Sequence, residues 1–145
     1  MKYYILSTEI FEKYSIELNE YMQNELNVNV ELIIENDNLS YIKKAVELSK
    51  KIVEDDRYKN SLILIDETGG LGFAAAAKVK GMICAQISDE HSSHMTREHN
   101  GAVGIALGGN ISHIHQIKAI IKLFVEEKFA AGRHMVRIDM LDEMA

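Results

Sequence analysis

Apolar and polar positions along this chain switch between a period near two and a period near four. Tyr3 to Ser7 is a short apolar run. From Ile10 to Asn24, the residues Ile10, Tyr14, Ile16, Leu18 and Tyr21 recur at mostly helical spacing, with Thr8 placed to cap that helix. Val28, Val30, Leu32 and Ile34 alternate strictly, which predicts a second strand closed by the turn Glu35-Asn36-Asp37-Asn38. Ser40 to Glu54 is amphipathic through Ile42, Ala45, Val46, Leu48 and Ile52. Ser61 to Ile65 is apolar enough for a buried strand, and Asp66-Glu67-Thr68-Gly69-Gly70-Leu71-Gly72 reads as a glycine-rich turn. Phe73 and four alanines then lead to Lys78, a helix whose small side chains let it lie close to the sheet. Gly81 to Ile87 predicts a strand suited to burial on both faces, and Ser88-Asp89-Glu90 opens a helix running to about His99. Val103 to Leu107 is a fifth strand ended by Gly108-Gly109-Asn110. Ile111 to Glu127 carries a wide apolar stripe, Ala130-Ala131-Gly132 breaks it, and a last helix bears Arg133, Arg137, Met140, Leu141 and Met144.

Strands and helices alternate five times, and every crossover is long enough for a parallel connection. The expected fold class is therefore α/β, a three-layer α/β/α sandwich (Rossmann-like) with a five-stranded parallel sheet and an extra C-terminal helix. Ligands of such sheets sit beyond the carboxyl ends of the strands, where Asp66 to Gly72, Ser88 to Glu90 and Gly108 to Asn110 all fall. At 145 residues the expectation is one domain spanning 1–145. A net charge of -6 argues against a nucleic-acid partner, so a small anionic ligand has to be met by a local cluster of bases. Too few apolar residues precede Ser7 for a signal peptide, and no run reaches the length of a membrane span; a cytoplasmic chain with no membrane partner is expected. The single cysteine, Cys84, excludes an internal disulfide and reads as an inert buried hydrophobe, and the seven methionines read as core filler.

The glycine turn frees backbone N–H groups and so resembles an anion cradle, with phosphate the obvious guest, although it matches neither G-x-G-x-x-G nor the P-loop pattern. Pattern alone leaves the anion site and a ligand-free tight turn equally open. Asp66 is the difficulty, because a carboxylate at the mouth of a cradle repels an anion unless it is protonated or turned away. Receiver domains also carry an aspartate after their third strand, but Ser7-Thr8-Glu9 offers one acid and Leu107-Gly108-Gly109 no lysine, which speaks against that chemistry. Of the six histidines, His91 and His94 share a helix face near Glu90, yet this spacing does not specify a converging metal site and solvated side chains are expected. His99 ends a helix just before a glycine, where an imidazole moves protons near neutral pH; a surface helix end is the plainer alternative. Arg133 and Arg137, four apart, share a face that either grips phosphate or forms a solvated basic patch balanced by Asp139 and Asp142.

Lys78-Val79-Lys80-Gly81-Met82, Ser88-Asp89-Glu90, Met95-Thr96-Arg97-Glu98-His99-Asn100, Gly132-Arg133-His134 and Arg137-Ile138-Asp139-Met140-Leu141, taken together and in this order, resemble the ribose-5-phosphate isomerase type B and galactose-6-phosphate isomerase family. The resemblance implies interconversion of aldose and ketose phosphates through an enediolate, in a site built across a subunit interface. It implies that His99 opens the sugar ring, that Asn100 assists beside it, and that Arg133 and Arg137 clamp the phosphate. Thr68 and Gly69 match the loop that stabilises the oxyanion. Asp66 stands where that family's ribose-type members have a cysteine base, and Thr8-Glu9 stand in place of an Asp-His pair. These departures resemble the family's A-type subunits, which work with a cysteine-bearing B-type subunit. The implied partners are thus a sugar phosphate such as D-galactose 6-phosphate and a B-type chain, with a homodimer or higher oligomer left open. A non-catalytic sugar-phosphate-binding or scaffold subunit is the alternative. No metal and no cofactor are implied, since the proton shuttle needs only side chains and backbone donors.

Overall fold

The computed structural model describes residues 1–127 and 133–144, and the side chain of Arg133 lies outside the described residues. The break expected at Ala130-Ala131-Gly132 lies outside them as well. Five strands, β1 (Lys2–Thr8), β2 (Asn29–Glu35), β3 (Asn60–Asp66), β4 (Cys84–Gln86) and β5 (Gly104–Gly108), form one parallel sheet in the order β2-β1-β3-β5-β4. The helices are α1 (Glu12–Asn24), α2 (Asn38–Asp55), α3 (Gly70–Ala77), α4 (Glu90–Asn100), α5 (Ile114–Glu126) and α6 (Arg133–Met144). The expected α/β/α sandwich with its extra C-terminal helix is what forms.

Strand alternation sorts the core into two layers. Ile5, Ile63, Ile65, Ile105 and Leu107 face α1 and α5, meeting Leu18, Met22, Ile117, Ile121 and Phe124. Leu6, Leu62, Leu64 and Ala106 face the other way, onto Tyr41, Ala45 and Ile52 of α2 and Ala75 and Ala76 of α3. The alanines let α3 approach the sheet, as their size suggested. Asp37 and Asp89 start α2 and α4 by accepting from the backbone N–H of Ser40 and Ser92, both at 2.7 Å.

Four local expectations are corrected. Thr8 caps nothing: the chain enters α1 through a 3-10 turn at Glu9–Phe11, and the Thr8 hydroxyl makes no capping bond. β4 is three residues long rather than seven and lies at the sheet edge, half-buried to exposed, because among the described residues β5 is its only neighbour in the sheet. α5 begins at Ile114, after a backbone turn in which Ser112 N–H donates to Gly108 O at 2.9 Å. The methionines divide: Met22 and Met82 are buried, whereas Met140 and Met144 on α6 are exposed.

α6 is tied down by Arg57, which donates to Asp142 Oδ1 at 3.0 Å and Oδ2 at 2.7 Å, and to the Gly81 carbonyl at 2.8 Å. Asp142 is therefore paired with Arg57. Hydrogen bonding from Arg57 holds the Asp142 carboxyl below the usual carboxylate range. A depressed folded-state value means the bridge contributes fully above the unfolded value, about 4, and is lost as pH falls through the depressed one. Amide-exchange protection in α6 should accordingly drop relative to α2 in acid. Asp142→Asn should show the same loss at neutral pH, by about 1 kcal/mol, and equal protection in variant and parent would contradict the tether.

Candidate active site

The register that pairs Ser7 with Ile65 and Asp66 with Gly108 brings Thr8, Asp66 and Gly108 to one edge of the sheet, beyond the carboxyl ends of the strands. Close contact fixes the turn there. Gly69 adopts φ +84°, and a Cβ on it would stand 3.1 Å from the backbone of Ala106 and Leu107. One on Gly108 would stand 2.7 Å from the Thr68 carbonyl carbon. Thr68 Oγ1 accepts from Gly70 N–H at 3.2 Å, and its carbonyl accepts from Gln86 Nε2 at 2.9 Å.

The turn is an anion cradle, and its guest is Asp66 itself. Gly69 N–H donates to Asp66 Oδ1 at 2.7 Å, while Gly72 N–H at 2.9 Å and the Tyr41 hydroxyl at 2.8 Å donate to Oδ2. The residue is 4 % exposed. Burial, and then the Asp66 charge, push the Tyr41 hydroxyl far above its ordinary value, which keeps it a donor. The carboxylate is thus turned inward, the alternative that made it compatible with the cradle. The Gly69 and Gly72 N–H groups are thereby engaged within the chain.

His99 and Asn100 close α4, which ends on Gly101 in the left-handed conformation at φ 61°. The His99 ring stacks on His134 of α6, centroids 4.6 Å apart and planes 14° apart. His134 is buried, and Arg137, one turn further along α6, is exposed. Arg97 anchors this corner. It is 6 % exposed, lies over the Phe124 ring at 4.2 Å, and donates to Ala102 O at 2.6 Å and to Ser61 Oγ at 3.2 Å. Neither the structural role of Arg97 nor the part of Tyr41 was legible in the sequence. Both depend on which residues from distant elements arrive beside them. His134 stood in a quoted motif, but spacing gave it no role.

The expectation that helix histidines are solvated holds for exposed His91 and fails for His94. His94 Nε2 lies 2.8 Å from Glu98 Oε2, and its Nδ1 lies 2.5 Å from Glu127 Oε2. The two carboxylates meet different nitrogens of the ring, and one ligand atom from each of His94, Glu98 and Glu127 lies within 4.8 Å of the others. Cys84 is only partly buried by exposure of the whole residue, yet its thiol is enclosed, and burial pushes it up to about 12. That is far from a thiolate base at neutral pH.

The two groups of residues are far apart. α4 leaves the carboxyl edge after β4 and returns to the start of β5, so His99 lies at the amino edge of the sheet, across from Asp66. The intervening height is one strand, roughly 20 Å. One chain cannot bring both to the same few carbon atoms.

An open parallel sandwich of this build is shared with sugar-phosphate isomerases. Ribose-5-phosphate isomerase B of Mycoplasma genitalium, solved with ribulose-5-phosphate, superposes with a TM-score of 0.88 at 25% identity, over 99% of this chain and 95% of that one. Among curated relatives, the galactose-6-phosphate isomerase subunit LacA of Streptococcus mutans is 42% identical over 112 residues, covering 77% of this chain and 78% of the relative. The LacA subunit of Enterococcus faecalis is 37% identical over 135 residues, 92% of each. Residues 5–141 match the model of the ribose/galactose isomerase family, and the chain belongs to that family.

Asp66→Ala leaves two N–H groups and a buried hydroxyl without an acceptor, and should destabilise the fold by about 3 kcal/mol. Asp66→Asn, which keeps one carbonyl oxygen, should recover part of that. Urea unfolding measures both, and an unshifted midpoint for the alanine variant would remove Asp66 from this role.

Proposed function

We propose that this chain is the A-type subunit of a galactose-6-phosphate isomerase, converting D-galactose 6-phosphate and D-tagatose 6-phosphate through an enediolate together with a cysteine-bearing B-type subunit. The observation that carries the reading is the separation of His99 from the Asp66 turn by the height of the sheet, joined to the occupation of that turn by the chain's own carboxylate. A substrate held against His99 needs its base and its oxyanion donors from another chain. The identities shared with the LacA subunits support the same assignment.

In this reading His99 moves a proton to the ring oxygen as the bond between that oxygen and the anomeric carbon breaks, and the anomeric hydroxyl gives up its own proton. Asn100, exposed beside it at the end of α4, hydrogen-bonds the opened sugar. Arg133 and Arg137 hold the phosphate, a dianion for which paired guanidiniums are well matched. The partner's cysteine thiolate takes the carbon-bound proton, and the partner's glycine loop, free of an internal carboxylate, receives the developing oxyanion. No part of this shuttle calls on Asp66. Its carboxylate is committed to the turn and would oppose an enediolate brought near it.

The purified chain should turn over galactose 6-phosphate roughly 10²–10⁴-fold more slowly than the co-purified pair, the range a positioned base supplies. Full activity of the chain alone would overturn the assignment. In the pair, His99→Ala should lower turnover of the cyclic sugar by roughly 10²-fold, and Arg137→Ala should raise KM with less effect on kcat. An unaltered rate in the first, or an unaltered KM in the second, would remove that residue from its part.

A further inference from the structure

The cluster around His94 lies outside the proposed proton shuttle. His94 and Glu98 stand four apart on α4, and Glu127 follows the last residue of α5 beside them. All three side chains are only partly exposed, and together they offer one imidazole nitrogen and two carboxylate oxygens within 4.8 Å of one another. The charges there do not balance. A neutral imidazole has one N–H and serves one carboxylate, leaving the other against a lone pair, and even an imidazolium cancels only one of the two negative charges. Among the described residues the two glutamates form ion pairs only with histidines, His94 for both and His99 at 3.9 Å from Glu98. The nearby Arg97 guanidinium donates inward, to Ala102 O and Ser61 Oγ. Helix polarity is an independent argument for a cation. Glu98 lies in the last turn of α4 and Glu127 at the C-cap of α5, so both carboxylates sit where the helix macrodipole is already negative.

We propose that His94, Glu98 and Glu127 form a site for a divalent cation of the zinc class, bound through one imidazole nitrogen and two carboxylate oxygens. Ligand bonds of about 2.1 Å need donor atoms roughly 3.5 Å apart, so small side-chain rotations from the present spacing complete the site. The imidazole favours zinc and its first-row neighbours over magnesium and calcium, which take oxygen donors. Glu127 also lines a hollow of about 320 Å³, which leaves room for water at the open coordination position. Arg97 lines the same hollow, with N–H groups turned to the carbonyl and hydroxyl already named. An ion held here joins the end of α4, which carries His99 and Asn100, to the end of α5. Its part is structural, and the third ligand was invisible to sequence spacing because it comes from another helix.

The test is zinc binding by the full chain without an affinity tag, stripped with a chelator and titrated calorimetrically at neutral pH. Zinc should bind and raise the unfolding midpoint, and X-ray absorption should show one imidazole nitrogen with carboxylate oxygens around the ion. Glu127→Gln and His94→Gln should each weaken the affinity by at least about tenfold, the loss that even an outer-shell partner gives. His113→Gln with His115→Gln, which removes a stacked histidine pair elsewhere on the surface, should leave it unchanged. Millimolar magnesium should not displace the zinc. No binding by the unaltered chain, a shell of several imidazoles, displacement by magnesium, or parent-like affinity in Glu127→Gln would each overturn the site. The isomerase reading stands or falls separately, since none of these readouts is turnover.

Discussion

In a parallel sheet every strand starts at the same edge, so each crossover carries the chain back across the full height of the domain before the next strand can begin. That polarity sorts this chain's chemistry. Residues that follow strands, such as Thr8, Asp66 and Gly108, collect at one edge, and residues that end helices, such as His99 and Asn100, collect at the other. The sorting follows from backbone hydrogen bonding alone and no side-chain substitution can undo it. A chemistry that needs both edges has to be divided between chains.

Within that constraint the Asp66 turn shows how a glycine-rich loop can satisfy its own donors. A loop whose N–H groups point inward needs an acceptor, because buried unpaired donors are costly. Asp66 supplies the acceptor covalently, helped by Tyr41 from a helix on the same face. The glycines at positions 69, 72 and 108 remain under the same contact constraints whether or not a ligand visits, since the nearest atoms to their missing Cβ groups belong to the sheet, the turn and Tyr41.

The parts of this structure that were legible in the sequence are those governed by periodicity. The apolar runs of β1 and β3 announced strands, the fivefold alternation of strands and helices announced a parallel three-layer sandwich, and the alanines of α3 announced close packing. What failed was local chemistry decided by distant partners. Thr8 looked like a cap because it precedes a helix, but the entry turn left its hydroxyl enclosed and unused. β4 looked like a central strand because its residues are apolar, yet neither strand order nor strand length is written in a local pattern. Asp66 looked misplaced because a sequence shows the charge and not the direction in which the side chain turns. His94 looked solvated because Glu127 is more than thirty residues away along the chain.

The internal carboxylate also changes how this loop answers to metabolites. A cradle that waits for a substrate is stabilised by mass action, and its order rises and falls with the concentration of the sugar phosphate. A tethered anion is present at an effective concentration set by the chain itself, which dilution does not alter. The Asp66 turn therefore keeps its acceptor whatever the supply of ligand around it.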